Sequence, residues 1–237
     1  MYRVPFNYYH GNYIDEMTEK WLSLTPNLPR LPVFYTFTKI HKPNPVRRPI
    51  ISSCDSPTER ISSFVYLSAK IQESYLQDTT DFLKLKEKTK IVKEMLVAMD
   101  VTSLYTNIPQ KEGINIVCKT YQTFHLNKPP ILTIYLRDML TLILKENSFQ
   151  FNGKNYLQTH GNAMGTKMAV SFADIFMATV ETEIISRSHF KPVTWKRYID
   201  DVFSLWNINK EEIINSYHLT INFTAEISDR EITILDT

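Results

Sequence analysis

Three carboxylates stand out as residues able to do chemistry together. Asp200 and Asp201 are adjacent, inside Arg197-Tyr198-Ile199-Asp200-Asp201-Val202-Phe203-Ser204-Leu205-Trp206. Aromatic and β-branched residues flank them on both sides and favour strands. A strand, a tight turn carrying two acids and a returning strand would set both carboxylates at a hairpin tip. Like charges that close repel unless a cation neutralises them. Hard divalent cations with oxygen ligands suit such a pair. A bare Asp-Asp pair is more often a solvated turn; the apolar strands around this one favour the metal reading. Asp100 ends a short apolar run, Met95-Leu96-Val97-Ala98-Met99, and is followed by Val101. An acid in that place is either a helix cap or a site residue.

Two further constellations could touch phosphate or a base. Val33 to Phe37 reads as a strand, Pro43-Asn44-Pro45 as a turn and Val46 to Ile51 as a second strand. The hairpin would gather Lys39, Lys42, Arg47 and Arg48 near its tip. Composition alone supports a solvated basic loop equally well. Arg suits phosphate through its planar fork and Lys as a point charge. Gly161 and Gly165 bracket Asn162-Ala163-Met164. Glycine permits close backbone approach to a base pair or template, but an isolated Gly-x-x-x-Gly is a weak signal.

These residues need a framework to bring them together, and the chain is long enough to supply one. It has 237 residues, 43% hydrophobic and 12% aromatic, which describes a globular chain with a substantial core. A net charge of +2 does not by itself suggest nucleic-acid binding. Cys54 and Cys118 are isolated, so neither a disulfide framework nor a zinc spacing is present, and a reducing intracellular compartment is expected. No apolar run approaches the ~20 residues of a membrane helix, no signal-peptide pattern opens the chain, and no membrane association is expected.

The elements follow from pattern. Residues 1–30 lack clear periodicity, with a short helix expected over Asp15 to Leu22. Ser56-Pro57-Thr58-Glu59 predicts a helix start with Ser56 as cap and Glu59 completing a capping box. Ile61, Phe64, Val65, Ile71 and Tyr75 form its inward stripe. Lys84 to Lys93 reads as a solvated, mobile connector. Gly113 to Tyr121 predicts a helix burying Ile114, Val117, Cys118 and Tyr121. Pro129-Pro130 breaks the chain before a helix over Thr133 to Glu146. Phe149 to Leu157 is a hairpin on Asn152-Gly153. A long helix follows the Gly161–Gly165 loop, burying Ala169, Phe172, Ala173, Phe176, Val180 and Ile184. A short helix near Lys210–Tyr217 and strands at Thr220–Ile227 and Glu231–Asp236 complete the chain.

Three ordered motifs carry a resemblance. Asp100-Val101-Thr102-Ser103-Leu104-Tyr105-Thr106-Asn107-Ile108-Pro109 comes first. His160-Gly161-Asn162-Ala163-Met164-Gly165-Thr166-Lys167-Met168-Ala169 follows, then Tyr198-Ile199-Asp200-Asp201. Together they resemble a reverse transcriptase, most closely that of the Penelope-like retroelements, relatives of telomerase. The resemblance runs from about Leu31 to Thr237. One departure is Thr36-Phe37-Thr38-Lys39-Ile40-His41-Lys42, where the family commonly has Gly-Leu-Pro-Lys-Ile-His-Lys.

The resemblance implies an α+β right-hand polymerase with fingers and palm and a mainly antiparallel palm sheet packed on helices. Residues 1–30 would be an N-terminal extension, 31–94 fingers, 95–121 the first part of the palm, 122–160 a return to the fingers and 161–237 the second part of the palm. Thumb and GIY-YIG nuclease would lie outside the chain. The implied activity is RNA-directed DNA synthesis, a two-metal nucleotidyl transfer to a primer 3′-hydroxyl. Asp100, Asp200 and Asp201 would be catalytic and hold two Mg²⁺ ions, Asp100 and Asp200 as the bridging ligands and Asp201 in support, with Mn²⁺ as an alternative and the Val101 carbonyl as a further ligand. Arg48, with Lys39 or Lys42, would bind triphosphate. Tyr105 would lie under the sugar and exclude a 2′-hydroxyl; Met164 and Gly165 would position nucleotide and template. The implied partners are an RNA template with a DNA primer and deoxynucleoside triphosphates, at an intracellular, nuclear location. Two alternatives stay open: a degenerate or domesticated nucleic-acid-binding module without catalysis, and a DNA-templated polymerase on the same palm.

Overall fold

The computed structural model describes residues 28–39, 46–67, 74–89, 94–126, 129–207 and 220–234. Two units partition the chain: residues 1–70 with 108–172, and residues 71–107 with 173–237.

The first unit is built on two hairpins and two helices. Strands β1 (Val33–Lys39) and β2 (Val46–Ser52) pair antiparallel, with Phe37 opposite Arg48 and Lys39 opposite Val46. Strands β4 (Ser148–Phe151) and β5 (Lys154–Leu157) form the second hairpin. Asn152 and Gly153 turn it at φ 49° and 72°, both left-handed as the right-twisting two-residue turn requires. A parallel contact between Val33 and Gln150 joins the hairpins into one sheet, β2-β1-β4-β5. Phe34 sits at that junction, its ring 5.8 Å from Phe149 and 5.0 Å from Phe151. Helix α1 (Glu59–Leu67) follows β2 and buries Ile61, Phe64 and Val65. The next two helices of this unit, α4 (Gln110–Phe124) and α5 (Thr133–Lys145), bury one stripe each, including Ile114, Val117, Cys118, Leu136, Leu140 and Ile143. Tyr121 fixes the proline-rich link between them. Its hydroxyl donates to the Ile131 carbonyl at 3.1 Å and accepts the Ile131 N–H at 3.2 Å.

The second unit is a four-stranded antiparallel sheet in the order β6-β7-β3-β8. Its strands are β3 (Met95–Val101), β6 (Thr194–Tyr198), β7 (Asp201–Trp206) and β8 (Phe223–Ser228). β7 is buried at every residue from Val202 to Trp206, as an inner strand covered on both faces should be. Helix α2 (Thr79–Lys88) packs Phe82 edge-on to Phe203, centroids 5.1 Å apart, in a cluster with Leu76, Leu96, Leu205 and Ile234. Each such side chain contributes ~1.5–3 kcal/mol on leaving water. The short helix α3 (Leu104–Asn107) follows β3. Helix α6 (Ala169–Arg187) enters this unit at Ala173 and carries Phe176, Val180 and Ile184 inward.

The expected mainly antiparallel sheet with helices is present, and the expected inward faces of α4 and α6 are buried. Four local expectations are corrected. Glu59 accepts the N–H of Asp55 at 2.8 Å, one residue before the expected cap, while the Ser56 hydroxyl pairs with that of Thr58 at 3.3 Å. Tyr75 lies outside the helix, exposed, in a bridge to Arg197. The lysine-rich stretch is helical through Lys88, because Asp78 caps α2 by accepting the Asp81 N–H and Lys86 and Lys88 sit at its favourable C-terminal end. Glu231 to Ile234 is irregular rather than a strand. The expected helices at Asp15–Leu22 and Lys210–Tyr217, the Pro43-Asn44-Pro45 turn and Ile71 lie outside the described residues.

Candidate active site

The acids are assembled by strand register. β3 runs antiparallel to β7 so that Met99 faces Val202 and Asp100 faces Asp201. Directly opposed residues project to the same side of a sheet, with Cβ atoms about 4.5–5.5 Å apart. Two carboxylates a hundred residues apart in sequence thus share one end of one sheet. Asp200 belongs to the turn between β6 and β7, and its carbonyl accepts the Val101 N–H at 2.9 Å. The turn is thereby stitched to the end of β3. On the other side Thr224 of β8 faces Asp100, and the Thr224 hydroxyl donates to the Asp100 carbonyl at 3.4 Å. Asp100 is exposed and Asp200 and Asp201 are half-buried, so the carboxylates open to solvent at the sheet end. Asp201 is the first residue of β7, paired with Tyr198, so only Asp200 of the two occupies the turn proper.

The donor set fits a hard divalent cation by type: carboxylates from two facing strands with backbone carbonyls beside them. Among the described residues no group of three or more His, Cys, Asp and Glu closes into a cage. Mg²⁺ is ordinarily held by one or two carboxylates with water and substrate phosphate completing its octahedron, rather than by an all-protein cage.

The turn itself is strained. Ile199 has φ 55°, the left-handed region. A β-branched residue there is an outlier and costs on the order of 1–3 kcal/mol. Beneath it lies a buried charge cluster that the sequence pattern did not reveal as part of the site. Arg197 is fully buried, and its Nη1 donates to Oδ1 of Asp174 at 2.7 Å and to the Ile199 carbonyl at 2.9 Å. Its Nε donates to Oε1 of Glu181 at 2.8 Å. Burial opposes the guanidinium charge, but Glu181 and Asp174 outweigh it and hold Arg197 above its ordinary value. Burial also lifts the Asp174 carboxyl, against the pull of Arg197. The available signals were an Arg abutting Tyr-Ile-Asp-Asp and two acids seven residues apart on one face of an apolar helix. Tyr105, five residues past Asp100, lies half-buried on α3.

The remaining candidates belong to the first unit. Arg48 is exposed on β2, opposite Phe37. Lys39 ends β1, and Lys42 lies outside the described residues. Met164 and Gly165 close on the end of β2. The Met164 carbonyl accepts the Ile51 N–H at 2.7 Å, and the Ser53 hydroxyl donates to the Gly165 carbonyl at 3.0 Å. Gly165 has φ 118°, and a Cβ there would stand 2.4 Å from the Ile51 carbonyl oxygen. The close approach expected of this glycine is therefore made to the chain's own backbone. Register and loop closure bring Met164 and Gly165 to Ile51, three residues beyond Arg48.

Comparison with solved structures supports the fold. The telomerase of Candida tropicalis truncated from its C-terminal domain matches with TM-score 0.56 at 12% identity, over 92% of this chain and 56% of that one. The RNA-dependent RNA polymerase of a human picobirnavirus matches with TM-score 0.62 at 12% identity, over 86% of this chain and 42% of that one. The BmCPV RNA-dependent RNA polymerase at quiescent state matches with TM-score 0.62 at 13% identity, over 94% and 22%. This chain spans 39%, 38% and 56% of the first three telomerase chains it matches. The fold is thus that of polymerase fingers and palm. No curated protein sequence matches the chain. The sequence model for the reverse transcriptase (RNA-dependent DNA polymerase) family matches residues 40–230, most of the chain, and the protein belongs to that family.

Proposed function

We propose that this chain is the fingers and palm of a retroelement reverse transcriptase of the Penelope-like kind, adding deoxynucleotides to a DNA primer on an RNA template. On this reading residues 31–94 and 122–160 are fingers, 95–121 and 161–237 are palm, and the protein works in the nucleus. The observation that carries the reading is the register that sets Asp100 opposite Asp201, with Asp200 tied to Val101. Three acids at one solvent-open sheet end cost electrostatic energy, and that cost has a use if divalent cations are held there.

Asp100 and Asp200, with Asp201 and the Val101 carbonyl, would hold two Mg²⁺ ions. When bound, these would activate the primer 3′-hydroxyl and neutralise the departing pyrophosphate. The carboxylates' own task is to hold those cations at the end of β3 and β7, where the primer 3′-hydroxyl would meet the nucleotide. In the transfer, the 3′-oxygen bonds to the α-phosphorus, the α–β phosphoanhydride bond breaks, and the hydroxyl proton is released. Arg48, with Lys39 or Lys42, would hold the triphosphate through charge-assisted hydrogen bonds. Tyr105 would press against the sugar and exclude a 2′-hydroxyl. Met164 and Gly165, fixed to β2, would support the nascent base pair.

Single-nucleotide addition to a DNA primer tests this directly. With Mg²⁺, extension on an RNA template by deoxynucleotides is expected. Extension by ribonucleotides alone would indicate an RNA polymerase, extension on DNA template alone would indicate a DNA-templated enzyme, and duplex binding without extension would indicate a binding module.

A further inference from the structure

Arg197 carries a buried charge that nucleotide addition does not itself require. It sits on β6, an edge strand whose free side is covered by Ser74 to Leu76. The Arg197 N–H donates to the Ser74 carbonyl at 2.7 Å, and the Leu76 N–H donates to the Arg197 carbonyl at 2.8 Å. The guanidinium makes four hydrogen bonds. Nε reaches Oε1 of Glu181, Nη1 reaches Oδ1 of Asp174 and the Ile199 carbonyl, and Nη2 reaches the Asp174 carbonyl at 3.2 Å. Glu181 is held in turn by the Ser74 hydroxyl, 2.9 Å from Oε2. Arg197 has no accessible surface, and Glu181 is 2% exposed.

A buried ion cluster is a poor device for stability, since apolar residues of similar volume often do as well or better. Its geometry suggests another use. Three of the four bonds lock the guanidinium to helix α6. The fourth reaches the carbonyl of Ile199, the residue in the left-handed conformation immediately before Asp200. That conformation is unfavourable for isoleucine, so the turn needs an external restraint to stay in it. We infer that Arg197, locked by Asp174 and Glu181, is a positioning residue that pins the Ile199 carbonyl. It thereby keeps Asp200 at the sheet end shared by Asp100 and Asp201. The role of Asp200 rests on the function proposed above; the restraint on the turn does not.

Two variants test the restraint in the full 237-residue chain. Arg197→Lys keeps the charge and loses the fork. The triple variant Arg197→Met, Asp174→Asn, Glu181→Met removes all three charges and puts apolar residues at the two fully buried positions, so it is expected to fold. The local readout is hydrogen exchange of the Val101 amide, which donates to the Asp200 carbonyl. It should exchange about tenfold faster in both variants, while the Val97 amide keeps its wild-type rate. Mn²⁺ affinity measured by electron paramagnetic resonance should weaken, and kcat for single-nucleotide addition should fall about tenfold with nucleotide KM within about twofold. A third variant, Ile199→Asn, suits the left-handed turn and keeps the cluster. On that background Arg197→Lys should cost less kcat and less Val101 protection than on wild type. A folded triple variant with wild-type Val101 exchange and kcat overturns the inference, and so do equal costs of Arg197→Lys on the two backgrounds. Loss of Val101 protection in the variants, together with a wild-type chain that shows no nucleotide addition, would leave the restraint standing and refute the functional reading instead.

Discussion

Gly165→Ala probes the junction between the Met164–Gly165 loop and β2 with little other change. The ideal Cβ would lie 2.4 Å from the Ile51 carbonyl oxygen and 2.9 Å from its carbon, both backbone atoms that cannot rotate away. The loop must move off β2, and the bonds from Ile51 N–H to the Met164 carbonyl and from Ser53 Oγ to the Gly165 carbonyl stretch or break. Two such bonds are worth about 0.5–1.5 kcal/mol each. The φ of 118° adds strain for an L-residue, on the order of 1–3 kcal/mol. The sum is about 2–6 kcal/mol. Gly153→Ala is the internal control. It too sits at positive φ, 72°, but a Cβ there meets nothing within 4 Å, so only conformational strain is incurred. Urea unfolding followed by tryptophan fluorescence and by circular dichroism measures both variants. Gly165→Ala should lose at least about 1 kcal/mol more than Gly153→Ala, as the bond term alone requires. Equal losses, or a Gly165→Ala midpoint matching wild type, would refute the proposed steric closure against Ile51.

Arg48→Ala should raise nucleotide KM, lower kcat or both, with primer-template affinity nearly intact; steady-state kinetics and duplex binding check it, and a loss confined to duplex binding would move Arg48 to the nucleic-acid backbone. Tyr105→Ala should raise the ribonucleotide share of the kcat/KM ratio, and an unchanged ratio would make Tyr105 a packing residue only. Glu59 predicts a pH dependence of the first unit. Burial raises its carboxyl, but the bond to Lys167 at 3.0 Å, the Asp55 N–H and the charges of Lys167 and Arg60 outweigh burial and hold it below its ordinary value of 4.5. The folded chain therefore binds that proton less tightly than the unfolded chain. The contribution is present above pH 4.5 and lost as pH falls through the lower folded value. Thermal melts from pH 6 to pH 3 should show a smaller acid loss for Glu59→Gln than for wild type.

The parts of the fold legible in the sequence were those fixed by local pattern. Helical spacing marked the inward residues of α4 and α6, and Asn152-Gly153 marked its hairpin, because periodicity and turn chemistry are short-range. That Asp100 shares a site with Asp200 and Asp201 came from motif resemblance, which paired Asp100 with Asp200. The register opposite Asp201 could not be read, since spacing cannot report strand pairing across a hundred residues. The buried role of Arg197 escaped for a related reason. An arginine at a strand position looks solvent-facing until Asp174 and Glu181, from a helix elsewhere in sequence, are seen to neutralise it. The lysine-rich stretch misled through composition: charge suggested a connector, whereas the Asp78 cap and the helix dipole favoured α2. Gly165 reads as leaving room for a base pair or template, and the Ile51 carbonyl beside it, which belongs to a strand more than a hundred residues away, had no signal in the sequence.

The central claim is that the acids at the end of β3 and β7 perform metal-dependent nucleotide addition. Asp200→Asn tests it most directly, because it removes one ligand charge at nearly constant volume while the backbone bond from Val101 to residue 200 can persist. Single-nucleotide addition on an RNA template would be measured with saturating duplex across a Mg²⁺ titration, alongside a melting curve. The predicted result is loss of extension with the melting temperature unchanged or raised, since like charges no longer oppose one another. Wild-type extension by Asp200→Asn at the same Mg²⁺ concentrations would contradict the assignment.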